Sequence, residues 1–156
     1  MTITITAVGR LKEKFWVQAA EEYLKRMKPY AKVTVKEIPD VDPGRAGGVE
    51  AAREREGEAI LDAISGKSFV ILLAIQGQEM SSEALSHFID DLGLRGHSDI
   101  TFIIGGSDGV SGAVRSRADR LVSFGPITLP HNLARIVLLE QLYRSFKISR
   151  GEPYHK

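Results

Sequence analysis

The stretch ITFIIGGSDG, beginning at Ile100, constrains this chain more than any other. Five apolar or β-branched residues run without interruption and stop at Gly105, Gly106 and Gly109. Such a run, bounded by glycines, reads as a strand with both faces covered. Strands of that kind belong to parallel sheets with helices above and below. Three glycines in five residues let the backbone approach a ligand closely. In open α/β sheets, ligands bind just beyond the carboxyl ends of the strands. The turn at 105–109 is therefore expected to form one wall of a small-molecule site.

The rest of the chain supplies the alternation that such a sheet needs. Residues 2–8 alternate Thr with apolar side chains and predict a first strand. A helix is expected over 11–27, with Leu11, Phe15, Ala19, Tyr23 and Met27 four apart on its apolar face and Trp16, Ala20 and Leu24 beside them. Residues 33–38 predict a second strand, and 39–48, rich in Pro, Gly and Asp, a mobile loop. A charged helix follows over 49–64, then a third strand over 68–75 that turns at Gln76, Gly77 and Gln78. Ser81 or Ser82 can cap a helix running to about Leu92. After the fourth strand, 100–104, come a short helix over 111–118 and a brief strand over 121–124. The last helix, 130–149, is apolar around most of its circumference, so it is buried on several sides. In so small a domain, one of those sides is expected to face another subunit. Strands and helices alternate from end to end, which predicts one α/β domain over 1–156.

Composition excludes several chemistries. There is no cysteine, so disulfides, thiolate nucleophiles and Cys-ligated zinc are ruled out, an absence in keeping with a cytoplasmic setting. The four histidines show no metal-ligand spacing, and no metal is expected. No apolar run approaches the ~20 residues of a membrane span, and the first residues lack the basic and apolar regions of a signal peptide. The net charge of +1 conceals an uneven distribution. Residues 10–36 carry eight Lys/Arg against three Glu, net +5; residues 37–129 carry eight against fifteen, net −7; residues 130–156 carry five against two, net +3. Two basic ends around an acidic middle can hide a nucleic-acid footprint inside a neutral total.

The glycine turn fails two familiar motifs. A Walker loop needs Lys after its last glycine, and Val110 stands there instead. A dinucleotide fingerprint should follow the first strand, which ends in a lone Gly9. A second stretch, SFGPITLPHN from Ser123, leads a brief strand into a loop stiffened by Pro126 and Pro130. Apolar Phe124, Ile127 and Leu129, on backbone whose amides no sheet uses, suit an adenine ring. The structural alternative is an ordinary strand-to-helix connection whose apolar residues plug the core. A third stretch is the tail, RSFKISRGEPYHK from Arg144. Its cations could neutralise phosphates, and its Tyr and His could stack on an unpaired base. A frayed, solubilising terminus is the alternative there. His131, ahead of the last helix, reads as a structural cap-region residue.

Together, AVGRLKEKFW, IQGQEMSSE, FIIGGSDG, FGPITLPH and EQLYRSFKISRGEPYHK resemble the ribosomal large subunit methyltransferase H family, of the SPOUT class of RNA methyltransferases. The resemblance runs from Thr2 to Lys156. It implies an α/β knot, a deep trefoil in a mostly parallel sheet with helices on both faces. It implies a homodimer, S-adenosylmethionine (AdoMet) as cofactor, and methylation of N3 of a pseudouridine in 23S rRNA of the large ribosomal subunit. By position, the cofactor contacts would be Leu73, Gly105, Phe124, Gly125, Pro126, Ile127, Thr128 and Leu129. In the tail, His155 is the candidate base or proton relay, Tyr154 would stack on or hydrogen-bond the target base, and Arg144 and Arg150 would hold phosphate or developing negative charge. In a dimer the tail would complete the partner's site. The alternative function is a ribosome-assembly factor that binds AdoMet or a nucleotide without methyl transfer.

Overall fold

The structure, a computed structural model, describes residues 1–154. In chain order it contains β1 (Thr2–Val8), α1 (Lys14–Met27), β2 (Lys32–Ile38), α2 (Pro43–Ala46), α3 (Val49–Ala63), β3 (Phe69–Glu79), α4 (Ser82–Leu94), β4 (Asp99–Ile104), α5 (Gly112–Arg117), β5 (Arg120–Ser123) and α6 (His131–Ser149). Among the described residues the strands form one sheet in the order β2-β1-β4-β3-β5, and every pairing is parallel. The expected α/β architecture is present.

Period-two alternation divides the strand side chains between two cores. Ile3, Ile5, Ile71, Ile100 and Phe102 face one side, where Ala20 and Met27 of α1, Leu85, Ile89 and Leu92 of α4, and Leu138, Leu139 and Leu142 of α6 cover them. Val8, Val70, Leu72 and Ile103 face the other, against Ile60 of α3 and Val114 of α5. This two-sided cover is why β3 and β4 read as unbroken apolar runs.

The structure corrects three expectations. Residues 39–48 are not irregular throughout: Pro43 opens the one-turn helix α2 at a position where its missing N–H costs nothing. Buried Glu56 of α3 accepts a hydrogen bond from the Val41 amide at 2.9 Å and ties the segment down. Second, Gln76, Gly77 and Gln78 do not turn the chain, because β3 continues to Glu79. Leu73 and Gln78 both align with Val122, so residues 74–77 bulge across β5. A Cβ on Gly77 would lie 2.6 Å from both N and C of Val122, an approach that only glycine allows. Third, α1 begins at Lys14, and its core-facing residues are Ala20, Tyr23, Leu24 and Met27. Phe15, expected on the apolar face, is 61% exposed.

α6 is covered by α1 and α4 and by the sheet. Ile136, Val137, Tyr143 and Phe146 remain half-buried on it. No helix among the described residues is long and apolar enough to cross a membrane.

Candidate active site

A cleft of about 700 Å³ opens beyond the carboxyl ends of β3, β4 and β5. Three connections build it. The end of β3 supplies Leu72, Leu73 and Ile75; the turn after β4 supplies Gly105, Gly106 and Gly109; the segment between β5 and α6 supplies Phe124, Gly125, Ile127, Thr128 and Leu129. Seven of the eight residues expected at a cofactor site therefore line one cleft. Pro126, in the same segment, is exposed and lies outside the lining.

Local chemistry shapes each wall. The turn after β4 closes with the Gly109 amide donating to the Gly106 carbonyl at 3.1 Å. After β5, the buried Ser123 hydroxyl accepts from the Gly125 amide at 3.0 Å and bends the chain out of the sheet. Prolines at 126 and 130 then keep the segment from pairing as a strand. Phe124 packs on the core, but Ile127 is 73% exposed, and Ile75, which also lines the cleft, 53%. Large apolar groups standing in water around a cleft mark a ligand site.

Arg115, which the sequence reading passed over, and His131, read there as a structural cap-region residue, also line the cleft. Arg115 comes from α5. His131 comes from the first turn of α6 and packs against Gly9 so closely that a Cβ there would sit 2.8 Å from His131 Cε1. His131 Nδ1 is buried and has no hydrogen-bond partner among the described residues. One turn further along α6, Arg135 is fully buried and donates to Glu37 Oε2 at 2.8 Å and to the Gly9 carbonyl at 3.0 Å. The Leu11 amide donates to the same Glu37 oxygen at 3.1 Å. This node ties the ends of β1 and β2 to the start of α6 and so fixes the last wall of the cleft. A lone His or Arg at a helix start carries no motif; only the fold brings Gly9 and Glu37 beside it.

The tail residues gather elsewhere. Tyr154 folds back on α6: its hydroxyl donates to Glu140 Oε1 at 3.2 Å, and its ring meets Tyr143 edge-on with centroids 4.9 Å apart. Arg144 donates to the same Glu140 oxygen at 2.8 Å, and its guanidinium lies 4.7 Å from the Tyr154 ring centre. The Glu140 carboxylate, one turn away, raises the Arg144 pKa further above its ordinary value. Burial, aided by Glu140, raises that of Tyr154, so its phenol stays protonated. The Arg150 guanidinium lies 4.7 Å from the Tyr30 ring centre. Lys147 pairs with Glu152, which holds the Glu152 carboxyl below its usual range. His155 lies outside the described residues. At 1.5 Å per residue, Arg144 is roughly 20 Å and Arg150 roughly 28 Å along α6 from His131. The structure thus brings Arg144, Arg150 and Tyr154 into one cationic and aromatic cluster with Glu140 and Tyr30, and holds that cluster away from the cleft of the same copy.

Comparison with known proteins agrees with this geometry. The family model described as "Predicted SPOUT methyltransferase" matches residues 1–155. "Ribosomal RNA large subunit methyltransferase H" of Carboxydothermus hydrogenoformans is 51% identical, and the protein of that name from Lactobacillus acidophilus 50%, each match covering both chains in full. The solved structure of "a probable methylase family protein" from Haemophilus influenzae Rd KW20 superposes with a TM-score of 0.56 at 14% identity, over 99% of this chain and 70% of that one. A "Probable Methyltransferase" from Bordetella pertussis Tohama I gives 0.55 at 13%, over 92% and 95%. At such identities these two speak for the fold alone. With a parallel sheet, a cleft at its carboxyl edge and full-length relatives at half identity, the chain belongs to the ribosomal RNA large subunit methyltransferase H family of SPOUT methyltransferases.

Proposed function

We propose that this chain, a single domain acting in the cytoplasm, methylates N3 of a pseudouridine in 23S rRNA of the large ribosomal subunit and uses AdoMet as the methyl donor. The observation that carries the cofactor reading is the cleft itself. Its volume falls within the ~300–1,000 Å³ of small-molecule sites. Its walls are apolar where an adenine and a thioether chain need cover, and the backbone at Gly105 and Gly125 leaves polar edges between them. Phe124, Ile127 and Leu129 would pack on the adenine, Leu73, Gly105 and Gly125 would border it, Thr128 would offer a hydrogen bond, and Pro126, outside the lining, would stiffen the segment. Arg115, the cationic side chain on the wall, would face an anionic group of the ligand. AdoMet supplies an electrophilic methyl group on a sulfonium.

The residues of the chain then have two tasks. The cleft holds the donor in one orientation; a well-aligned pair gains roughly 7–11 kcal/mol over a bimolecular encounter. The tail presents the nucleotide. N3 carries a proton that must leave before its lone pair can attack, and His155 is the proposed base or relay. Tyr154, kept protonated, donates a hydrogen bond or stacks on the base, while Arg144 and Arg150 meet phosphate. One copy holds Arg144, Arg150 and Tyr154 apart from the cleft, which supports a homodimer whose partner tail faces the cleft. Half-buried Ile136, Val137 and Tyr143 on α6 support such an interface.

The separation of tail from cleft also suits the second reading, an AdoMet-binding assembly factor without turnover. Mass spectrometry of 23S rRNA from cells with and without the gene separates the two. Loss of one methyl from a single pseudouridine, restored by the wild-type chain but not by His155→Ala, is the expected result. An unchanged rRNA mass would refute methyl transfer. Restoration by His155→Ala would remove that residue from the mechanism.

A further inference from the structure

Neither the cleft nor the tail uses the segment between β1 and α1. Gly9, just before it, lies under His131 at the cleft wall. Leu11 pins its middle, with the amide on Glu37 and the side chain half-buried against the core. The segment is therefore anchored beside the cleft. What it presents to solvent is Arg10, Lys12, Lys14 and Phe15, with Glu13 the lone acid between them.

Three features combine on this surface. Arg10, Lys12 and Lys14 make no ion pair among the described residues, whereas Arg26, Arg95 and Arg117 each sit on a carboxylate. The first turn of α1 has no acidic residue, and the N-cap, Glu13, makes no side-chain cap bond, so the helix amide groups stay open at an end whose charge Glu13 only partly offsets. And Phe15, 61% exposed, rests on half-buried Trp16 with ring centroids 5.0 Å apart and planes tilted by 53°. An aromatic ring held at a set angle among unpaired cations suits a partner with both negative charge and flat faces. A second copy of this chain would bring the same three cations against these, and like charges repel across a symmetric interface. A single-stranded nucleic acid supplies phosphates for the cations and an unstacked base for the ring.

We propose that Arg10, Lys12, Lys14 and Phe15 form a second RNA contact, in which the cations take phosphates of the strand flanking the target nucleotide and Phe15 stacks on one unpaired base. This rests on the reading of the chain as an rRNA methyltransferase. The contact would steer the strand across the cleft mouth from the β1 side and would act on RNA binding without touching the methyl donor.

The test uses ribosomes purified from cells lacking the gene, with methyl-labelled AdoMet. The triple variant Arg10→Gln/Lys12→Gln/Lys14→Gln should raise the KM for ribosomes about 10-fold or more, and its log–log salt dependence should be shallower by about 2. Phe15→Leu should raise that KM by about 5- to 150-fold, and Phe15→Trp should stay within about twofold of wild type, because any aromatic face can stack. AdoMet affinity by calorimetry should stay within about twofold in all three. Unchanged KM values in the triple and Leu variants overturn the proposal. So does a Leu variant that performs as well as Trp, or one whose KM loss tracks a change in sedimentation, which would mark a contact between copies. A wild-type chain that binds AdoMet but labels no ribosomes would refute the methyltransferase reading itself, and this contact with it. Wild-type turnover with unaffected variants refutes the contact alone.

Discussion

Replacing Arg135 with Met tests whether the buried node at the start of α6 holds the cleft together. Met keeps most of the apolar stem, so the change removes the charge and its hydrogen bonds while leaving little void. Two bonds disappear. The Gly9 carbonyl, on a buried residue, loses a donor at 3.0 Å, a cost of about 1–3 kcal/mol. Glu37 loses a partner at 2.8 Å, but its side chain is 39% exposed and water recovers most of the interaction, leaving about 0–1 kcal/mol. The total is about 1–4 kcal/mol. A chain of this length loses roughly 2–4 °C in Tm per kcal/mol, so Arg135→Met should melt about 2–16 °C lower. Urea denaturation should show the change in midpoint with an unaltered slope. Glu37→Gln, which keeps an acceptor oxygen, should cost about 1 kcal/mol or less. The combined variant should be less destabilised than the two losses added, because Arg135 and Glu37 share one bond. Arg135→Met within about 0.5 kcal/mol of wild type would refute the reasoning, as would Glu37→Gln proving the more damaging change.

Three further outcomes follow from particular contacts. Gly77→Ala forces a methyl group to 2.6 Å from the Val122 backbone, which cannot swing aside as a side chain would, so it should cost about 3 kcal/mol or more in urea denaturation; a neutral variant would mean that β3 does not cross β5 this closely. Tyr154 has its pKa raised by burial and by Glu140, so the docked tail favours the protonated phenol. Its contribution to stability is complete below the ordinary value of about 10 and is lost as pH rises through the folded value. In ultraviolet titration Tyr154→Phe should remove a phenol that ionises above the ordinary tyrosine range; a difference spectrum titrating at the ordinary value would refute the docked tail. Arg115→Ala should weaken AdoMet binding by about 3- to 10-fold in calorimetry, a modest loss because the side chain is exposed. Unchanged affinity would remove Arg115 from the site.

What the sequence disclosed, and what it withheld, follows from the range of each physical signal. The run at β4 and the glycines after it are local, and they placed one wall of the cleft correctly. The segment after β5 was readable for the same reason: prolines at 126 and 130 forbid a strand, and apolar residues between them need cover. Gly77 misled because glycine serves both turns and close backbone approach, and only the partner strand, more than forty residues on in the chain, distinguishes them. Phe15 misled because the four-residue spacing holds for Tyr23 and Met27, which pack on the core, but fails at the first turn of α1, where Phe15 is exposed; without a capping side chain that start carries no signal. His131 was read only as a cap-region residue and Arg135 not at all, since their partners Gly9 and Glu37 lie about a hundred residues away in the chain.

The walls of the cleft also set an order in time. A ribosome releases a chain from its amino end at roughly 5–20 residues per second. β1, β4 and the glycine turn emerge well before the segment at 124–131 that closes the site. A nascent chain lacking that segment has a partial sheet and an open apolar edge, but no enclosed cleft. Ligand binding thus becomes available only when the last helix has been made and docked. From then on, any ligand of the cleft stabilises the finished chain by mass action, about 2.7 kcal/mol at a hundredfold excess over its Kd. Such a ligand would stabilise complete molecules and leave truncated ones without that support.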